Sequence, residues 1–320
     1  MKRSFFLLLS LTALFFFSGC GGPDESAAEV KGRIGMTCMD LTNPFFKLIA
    51  NVMAEEAVKH GYEVTALSGE LDPAKQNSQM SDFVAQGYDA IFLNPVDSKS
   101  AGQGVKAAHE AGIPVFTFDI QVSDESAKDL VTSHLGSDNF QGGVLAGDSM
   151  IKALGNKGEV AIVSLPEVSS CILRVDGFKK ALRDAGSPIR IVTELSGKGS
   201  RDAGYSVTTD ILQAHPDITG IFAINDPSGL GAHAAVLKAG KQDQITIIAF
   251  DASPAGKQAV FEKKLFDTPQ QFPRKMAVGT VQAFVDYLDG KEVEKKILIP
   301  CAHYRYEDSI NDESREKEQW

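Results

Sequence analysis

Residues 90–119 read AIFLNPVDSKSAGQGVKAAHEAGIPVFTFD, and three segments follow one another in that stretch. Ala90-Ile-Phe-Leu is a short apolar run closed by Asn94-Pro95, the pattern of a strand buried on both faces. Residues 101–112 carry small and apolar side chains at helical spacing and end on Gly112, where a helix C-cap is expected. Pro114-Val-Phe-Thr-Phe is a second apolar strand. Strand, helix and strand in so short a span make a βαβ unit, which requires parallel strands joined by a right-handed crossover.

The unit repeats in both directions. Upstream lie the strand Gly32-Arg-Ile-Gly-Met-Thr, a helix over 44–61, the strand Tyr62-Glu-Val-Thr-Ala-Leu and a helix over 74–87. Downstream, helices over 140–154, 174–186, 204–215 and 229–240 alternate with strands at Glu159-Val-Ala-Ile-Val, Ile189-Arg-Ile-Val-Thr, Gly220-Ile-Phe-Ala-Ile and Ile245-Thr-Ile-Ile-Ala-Phe. Gly61, Gly112, Gly186 and Gly240 each hand a helix over to a strand within a few residues, as short αβ connections do. The expected fold class is α/β, with two similar doubly wound parallel-sheet lobes.

The ends read differently. Met1-Lys2-Arg3 precedes an apolar stretch from Phe5 to Phe17, the n-region and h-region of an export signal. The run is shorter than the ~20 apolar residues of a membrane span. It ends in Phe17-Ser18-Gly19-Cys20, which resembles the site where bacterial lipoproteins are cut before a lipidated cysteine. Residues 1–20 are therefore expected to be a lipoprotein signal peptide with Cys20 lipidated, and residues 21–31, small and polar, a flexible tether to a membrane. Residues 307–319 are nearly all polar and are expected to fray, with 310–320 as a polar tail.

A formal net charge of −10, with acidic and basic residues mixed along the chain, argues against nucleic acid as a partner. Beyond Cys20 stand Cys38, Cys171 and Cys301, an odd number with no CxxC spacing, read as buried thiols. The histidines are scattered, and neither an HExxH pair nor a calcium-loop spacing occurs, so neither metal nor cofactor is expected.

In open parallel sheets ligands bind beyond the carboxyl ends of the strands. The residues at those places are Asp40 to Phe46, Asn94, Asp119, Asn225-Asp226 and Asp251. Carboxylates and amides suit vicinal hydroxyls, and Phe45 and Phe46 offer an apolar face to the C–H side of a sugar ring.

Thr42-Asn-Pro-Phe-Phe, Leu93-Asn-Pro-Val-Asp-Ser, Thr117-Phe-Asp, Ser137-Asp-Asn, Ala223-Ile-Asn-Asp and Ala249-Phe-Asp, in that order, resemble the ribose-binding branch of the periplasmic sugar-binding family over roughly Lys31 to Pro300, and several motifs in register weigh more than one. The resemblance implies two lobes joined by three hinge crossings, near Ser137, Phe272 and Pro300. The lobes would then be 32–136 with 272–300, and 137–271 with 301–309. It implies sugar contacts from Asn43, Phe45, Phe46, Asn94 and Asp119 in the first lobe, and from Arg174, Asn225, Asp251 and Gln271 in the second. Two positions depart from the pattern and are expected to alter specificity. Ile120 stands where ribose binders have arginine, and Gly199 where they have an aromatic ring, which points to another pentose, a deoxy sugar or a small polyol.

The function implied is a monomeric extracytoplasmic solute-binding protein that hands a sugar or polyol to an ABC permease in the membrane. The alternative is a sugar sensor presenting the same site to a receptor. An enzyme would need Asp119 and Asp251 as acid and base across a cleft, and no further catalytic signature supports that, so no catalytic residue is assigned. Gly229-Leu-Gly-Ala-His-Ala fits a dinucleotide fingerprint, yet that motif alone is weak and close packing accounts for its glycines. A repressor of the lac type would need a helix-turn-helix where the export signal stands.

Overall fold

The structure, a computed structural model, describes residues 30–316 and residue 320. Cys20, the expected leader and nearly all of the tether lie outside the described residues. The first lobe contains β1 (Gly32–Cys38), α1 (Pro44–Lys59), β2 (Tyr62–Ser68), α2 (Pro73–Ala85), β3 (Ala90–Leu93), α3 (Gly102–Glu110), β4 (Val115–Phe118) and β5 (Ser133–Ser137). The second contains α4 (Asn139–Leu154), β6 (Glu159–Ser164), α5 (Ser169–Asp184), β7 (Arg190–Ser196), α6 (Arg201–Ala214), β8 (Gly220–Ala223), α7 (Asp226–Lys238), β9 (Thr246–Ile248) and α8 (Pro254–Phe261). The chain then returns to the first lobe for α9 (Pro273–Leu288) and β10 (Lys296–Ile299), and crosses back to end in α10 (Tyr306–Ser309) and α11 (Glu313–Glu316).

Among the described residues the strands form two parallel sheets, ordered β10-β5-β4-β3-β1-β2 and β7-β6-β8-β9. Both orders reverse beside a central strand, between β1 and β3 in one lobe and between β6 and β8 in the other, and loops diverge at such switch points to leave a crevice. Strands β3, β4 and β8 are buried at every residue, which is why they read as unbroken apolar runs. The glycines at 61, 112, 186 and 240 all have φ between +56° and +86°, the left-handed conformation that ends a helix most cheaply at glycine.

Several helices begin at the crevice with an asparagine, aspartate or serine cap followed by proline. Asn43 Oδ1 accepts from Phe45 N at 3.0 Å, Asn225 Oδ1 from Ser228 N at 3.0 Å and Ser253 Oγ from Gly256 N at 3.1 Å. Such caps hold the first turn where the strand releases the chain.

Helix α4 lies against α5 through glycines. An added Cβ at Gly143 would stand 2.1 Å from the Arg174 carbonyl oxygen, and one at Gly177 2.1 Å from that of Phe140. Gly143→Ala would gain up to about 1 kcal/mol of helix propensity, but the obstacle is backbone, so overpacking of about 1–3 kcal/mol prevails. A lowered urea midpoint is expected; an unchanged one would contradict this close approach.

The lobes meet at three crossings. Ser137 Oγ donates to Gln271 Oε1 at 2.7 Å, Asp138 N to Ile299 O at 2.8 Å, and Cys301 N to Gln141 Oε1 at 2.9 Å. They also touch along a seam beside the crevice. Ser169 N donates to Ser98 Oγ at 3.0 Å, Gln121 N to Ser169 Oγ at 3.3 Å, and Ile120 packs into the second lobe's cluster around Val168 and Val175.

Two strands are missed by the sequence reading, and one expectation needs correction. Strands β5 and β10 do not stand out in the sequence, because Ser133-His-Leu-Gly-Ser lacks an apolar run and Lys296-Ile-Leu-Ile lies at the sheet edge. The polar tail does not fray over its described part. Asp312 accepts from Tyr304 Oη at 2.7 Å and lies 3.3 Å from Lys257 Nζ, while Arg315 donates to Ser309 O and Gln258 Oε1 at 3.0 Å each. Charged residues pair with the second lobe there in place of water.

Candidate functional site

A cavity of about 440 Å3 lies between the lobes at the two switch points. From the first lobe it is lined by Asn43, Phe45, Phe46, Asp119 and Ile120; from the second by Cys171, Arg174, Gly199, Asn225, Asp251 and Gln271. The structure thus brings together all the expected contact residues except Asn94.

Asn94 is fully buried behind the cavity wall. Its Oδ1 accepts from Met39 N at 3.1 Å, and its Nδ2 donates to Phe118 O and to Asp119 Oδ2, both at 3.2 Å. It ties the ends of β1 and β4 together and aims Asp119, so it is a positioning residue. Asp119 leaves β4 with φ +60°, a conformation that costs a non-glycine residue energy and clusters at ligand sites. Its Oδ2 is held by Asn94. Its Oδ1 is buried and has no hydrogen-bond partner among the described residues.

Arg174, on the second turn of α5, is the buried cation. Its Nε donates to Asn139 Oδ1 at 2.8 Å, and its Nη1 donates to Ile224 O at 2.7 Å and Asp251 Oδ1 at 3.3 Å. The guanidinium carbon sits 3.9 Å over the centroid of the Phe250 ring, a cation–π contact strengthened by exclusion of water. Asp251 also has positive φ, +115°, and its Oδ1 accepts from Gln271 Nε2 at 2.6 Å. Gln271 in turn receives the Ser137 hydroxyl at the hinge, so one chain of bonds joins Arg174 to a crossing.

Burial is the main force on the carboxyls. It pushes Asp119 up to about 7, with Arg174 opposing and Asp251 adding to the rise. Burial likewise raises Asp251 and Asp226, the latter further by the charge of Asp251. Asp119 and Asp251 crowd one guanidinium in the cavity wall, and hydroxyl donors that reach them favour their ionised forms.

Asp226 stays outside the cavity lining. Its oxygens accept from Ser253 N and Oγ, both at 2.7 Å, and from Thr268 Oγ1 at 2.6 Å, which fixes the loop that carries Asp251. Asp226, named at a strand end as a candidate for the ligand, is instead a support for that loop, and Asn139, which orients Arg174, is a support that strand-end reading alone does not assign. Asn139 stands in the quoted Ser137-Asp-Asn motif, the one sequence signal for it.

The two altered positions have physical occupants. An added Cβ at Gly199 would lie 3.2 Å from Leu165 Cδ2, so an aliphatic chain from the end of β6 fills the place beside Gly199, whose φ is +63°. Ile120 is 2% exposed and makes an apolar patch of the wall with Val168 and Cys171. The Cys171 thiol is pushed up to about 12 by burial, so it is an inert part of that patch. Cys38, Cys171 and Cys301 are free thiols among the described residues.

The dinucleotide fingerprint is absorbed by packing. Added Cβ atoms at Gly229 and Gly231 would lie 2.7 Å from Ala249 Cβ and 2.1 Å from Arg201 O. Among the described residues no cluster of three or more metal-ligating side chains occurs, and no helix is long and apolar enough to cross a membrane.

Comparison with known proteins agrees with this geometry. The family described as periplasmic binding protein domain matches residues 34–292. A ribose import binding protein of Bacillus subtilis is 32% identical over 308 residues, covering 94% of this chain and 98% of that one. A D-apiose import binding protein of Paraburkholderia graminis is 30% identical, covering 92% of each. Among solved structures, a solute-binding protein of Agrobacterium vitis with bound D-fucose superposes with TM-score 0.83 at 27% identity, covering 90% of this chain and 100% of that one. With a family match over residues 34–292 and relatives aligned along nearly the whole length, the chain belongs to the periplasmic binding protein family, on its ribose-binding-like, sugar-binding branch.

Proposed function

We propose that this chain is the extracytoplasmic receptor of an ABC importer, anchored through lipid on Cys20, that captures a monosaccharide or small polyol as a monomer and delivers it to a membrane permease. The observation that carries the reading is Asp119 Oδ1, a buried carboxylate oxygen of a cleft-lining residue without a partner among the described residues. Such an atom costs stability unless a ligand donates to it. Phe45 and Phe46 stand edge to face, centroids 5.4 Å apart, and supply the apolar plate. Closure then places Arg174, Asn225, Asp251 and Gln271 on the opposite side of the ring. The relatives' cargo, ribose and apiose, supports the size of the ligand, and the acids serve as hydroxyl acceptors without chemical turnover.

Ile120 adds a preference. A hydroxyl pressed on it would lose its water without gaining a partner, so the favoured ligand turns a deoxy or C–H edge to Ile120, Val168 and Cys171. A thermal-shift screen of the chain from Val30 onward, across pentoses, hexoses, deoxy sugars and polyols, tests both statements. A ligand at 100 times its Kd adds about 2.7 kcal/mol, roughly 4–5 °C for a chain of this size. A large shift is expected from a deoxy sugar or a pentose other than ribose. Silence across the panel would overturn the receptor reading, and a larger shift with ribose than with every deoxy sugar would overturn the role given to Ile120.

A further inference from the structure

The face of the first sheet opposite α1 and α9 is covered by α2 and α3, but its β4–β5–β10 end is roofed by residues 121–131, which carry a 3-10 turn at Lys128–Leu130. Beneath this roof lies a cavity of about 460 Å3 whose lining includes Thr117, Gln121, Lys128, His134, Lys295 and Lys296. It shares no residue with the sugar cleft.

His134 is 5% exposed. Its Nδ1 lies 2.9 Å from Thr117 Oγ1, whereas its Nε2 is buried and has no hydrogen-bond partner among the described residues. Assigning the Thr117 hydroxyl as the donor to Nδ1 puts the ring proton on Nε2, a donor without a partner among the described residues. A buried donor left unmade destabilises the fold in a way that an apolar residue at this position would not.

The charges around it are unequal. Lys128, Lys295 and Lys296 line the cavity against one carboxylate, Asp129. Lys295 Nζ is engaged by Val131 O at 2.9 Å, and Lys128 Nζ by Glu125 at 2.7 Å. Lys296, directly opposite His134 in the β5–β10 register, makes no ion pair or side-chain hydrogen bond among the described residues. Among the described residues, a buried ring nitrogen without a partner and an exposed ammonium free of ion pairs therefore stand on neighbouring strands at one cavity.

We propose that this cavity is a second binding site, for a small oxyanion of the phosphate or carboxylate type, held by His134 Nε2–H and the Lys296 ammonium. Burial, and secondly the charge of Lys296, hold the imidazole pKa down to about 3, so the ring binds as a neutral donor and the lysine supplies the charge. The ring lies near the backbone of a cleft residue, because a Cβ at Gly136 would stand 2.6 Å from His134 Nε2 and 3.2 Å from the main-chain carbonyl oxygen of Asp119.

The test is imidazole nitrogen NMR of the receptor, titrated with inorganic phosphate, with acetate and with chloride at matched ionic strength. His134 is assigned by its loss in His134→Gln. A saturable shift of the His134 signal with phosphate or acetate, absent with chloride and weakened about tenfold in Lys296→Gln as one charge-assisted hydrogen bond predicts, supports the proposal. Phosphate saturation alone assigns a tetrahedral anion, and acetate saturation alone a carboxylate. A signal that follows ionic strength only, or a titration indifferent to Lys296→Gln, overturns it.

Discussion

Arg174→Ala is expected to abolish measurable sugar binding and to lower the stability of the receptor by about 3–5 kcal/mol, the cost of removing one partner from a buried ion pair. The reason is what stays behind. Asp251 and Asp119 lose the opposing charge that restrains their rise, and Asn139 Oδ1 and Ile224 O lose their donor. Both acids then titrate still higher in the folded state. A carboxyl whose folded pKa exceeds its unfolded one binds more protons when folded, so its contribution to stability falls as pH rises toward that folded pKa. The deficit of the variant should therefore be largest near pH 8 and should shrink toward pH 5, where the acids are neutral. Urea melts at both values check this, with calorimetry for the sugar. Arg174→Ala melting like the parent at pH 8 would remove the guanidinium from the centre of the site.

Asp119→Ala is expected to weaken sugar binding about 10–100-fold, the value of 1.5–3 kcal/mol for a hydrogen bond to a charged group, while sparing the fold. Its pH dependence is the sharper test. In the sugar-free receptor the carboxyl stands at about 7, and hydroxyls donating to Oδ1 favour its ionised form. Affinity should accordingly climb as pH rises through about 7, level off above it, and fall in acid by up to about tenfold per pH unit. Asp119→Asn should be weak and flat across that window. For stability without sugar the sign is opposite: a carboxyl raised from 3.8 to about 7 holds more protons folded than unfolded between those values, so this group's contribution declines as pH rises from about 4 to 7. Equal pH profiles for the parent and Asp119→Asn would show that the orphaned oxygen is not where the sugar binds.

Much of this was legible in the residues because it is local. Buried parallel strands announce themselves as apolar runs and helix ends as glycine, each set within a few positions, whereas the cap-and-proline starts at Asn225-Asp226-Pro227 and Ser253-Pro254 are not read as helix starts. What faces the crevice follows from the strand ends once the sheet order is granted. Asn94 shows the limit: its place after β3 is readable, but whether its amide turns outward to a ligand or inward to Met39 N and Phe118 O depends on how far apart β1 and β4 stand. The bonds of Arg174 to Asn139, Ile224 and Asp251 join segments that no local pattern links. The docked tail was missed for a related reason, since Asp312 and Arg315 look like solvent-facing charges until Lys257 and Gln258 are brought beside them.

The seam at Ser98, Gln121, Ile120 and Ser169 has a consequence for selectivity in transport. Those contacts are made between the lobes themselves, so they favour the arrangement in which the lobes touch by the same amount whatever cargo is present. Apparent affinity depends on how often an empty receptor already visits its competent shape, and such a cargo-blind bias raises affinity for every sugar together, leaving the ranking among sugars to the cleft. The same bias increases the share of vacant receptors that present the docking shape to the permease. A tighter seam would make the importer more sensitive in scarcity and also noisier, with more encounters that deliver nothing.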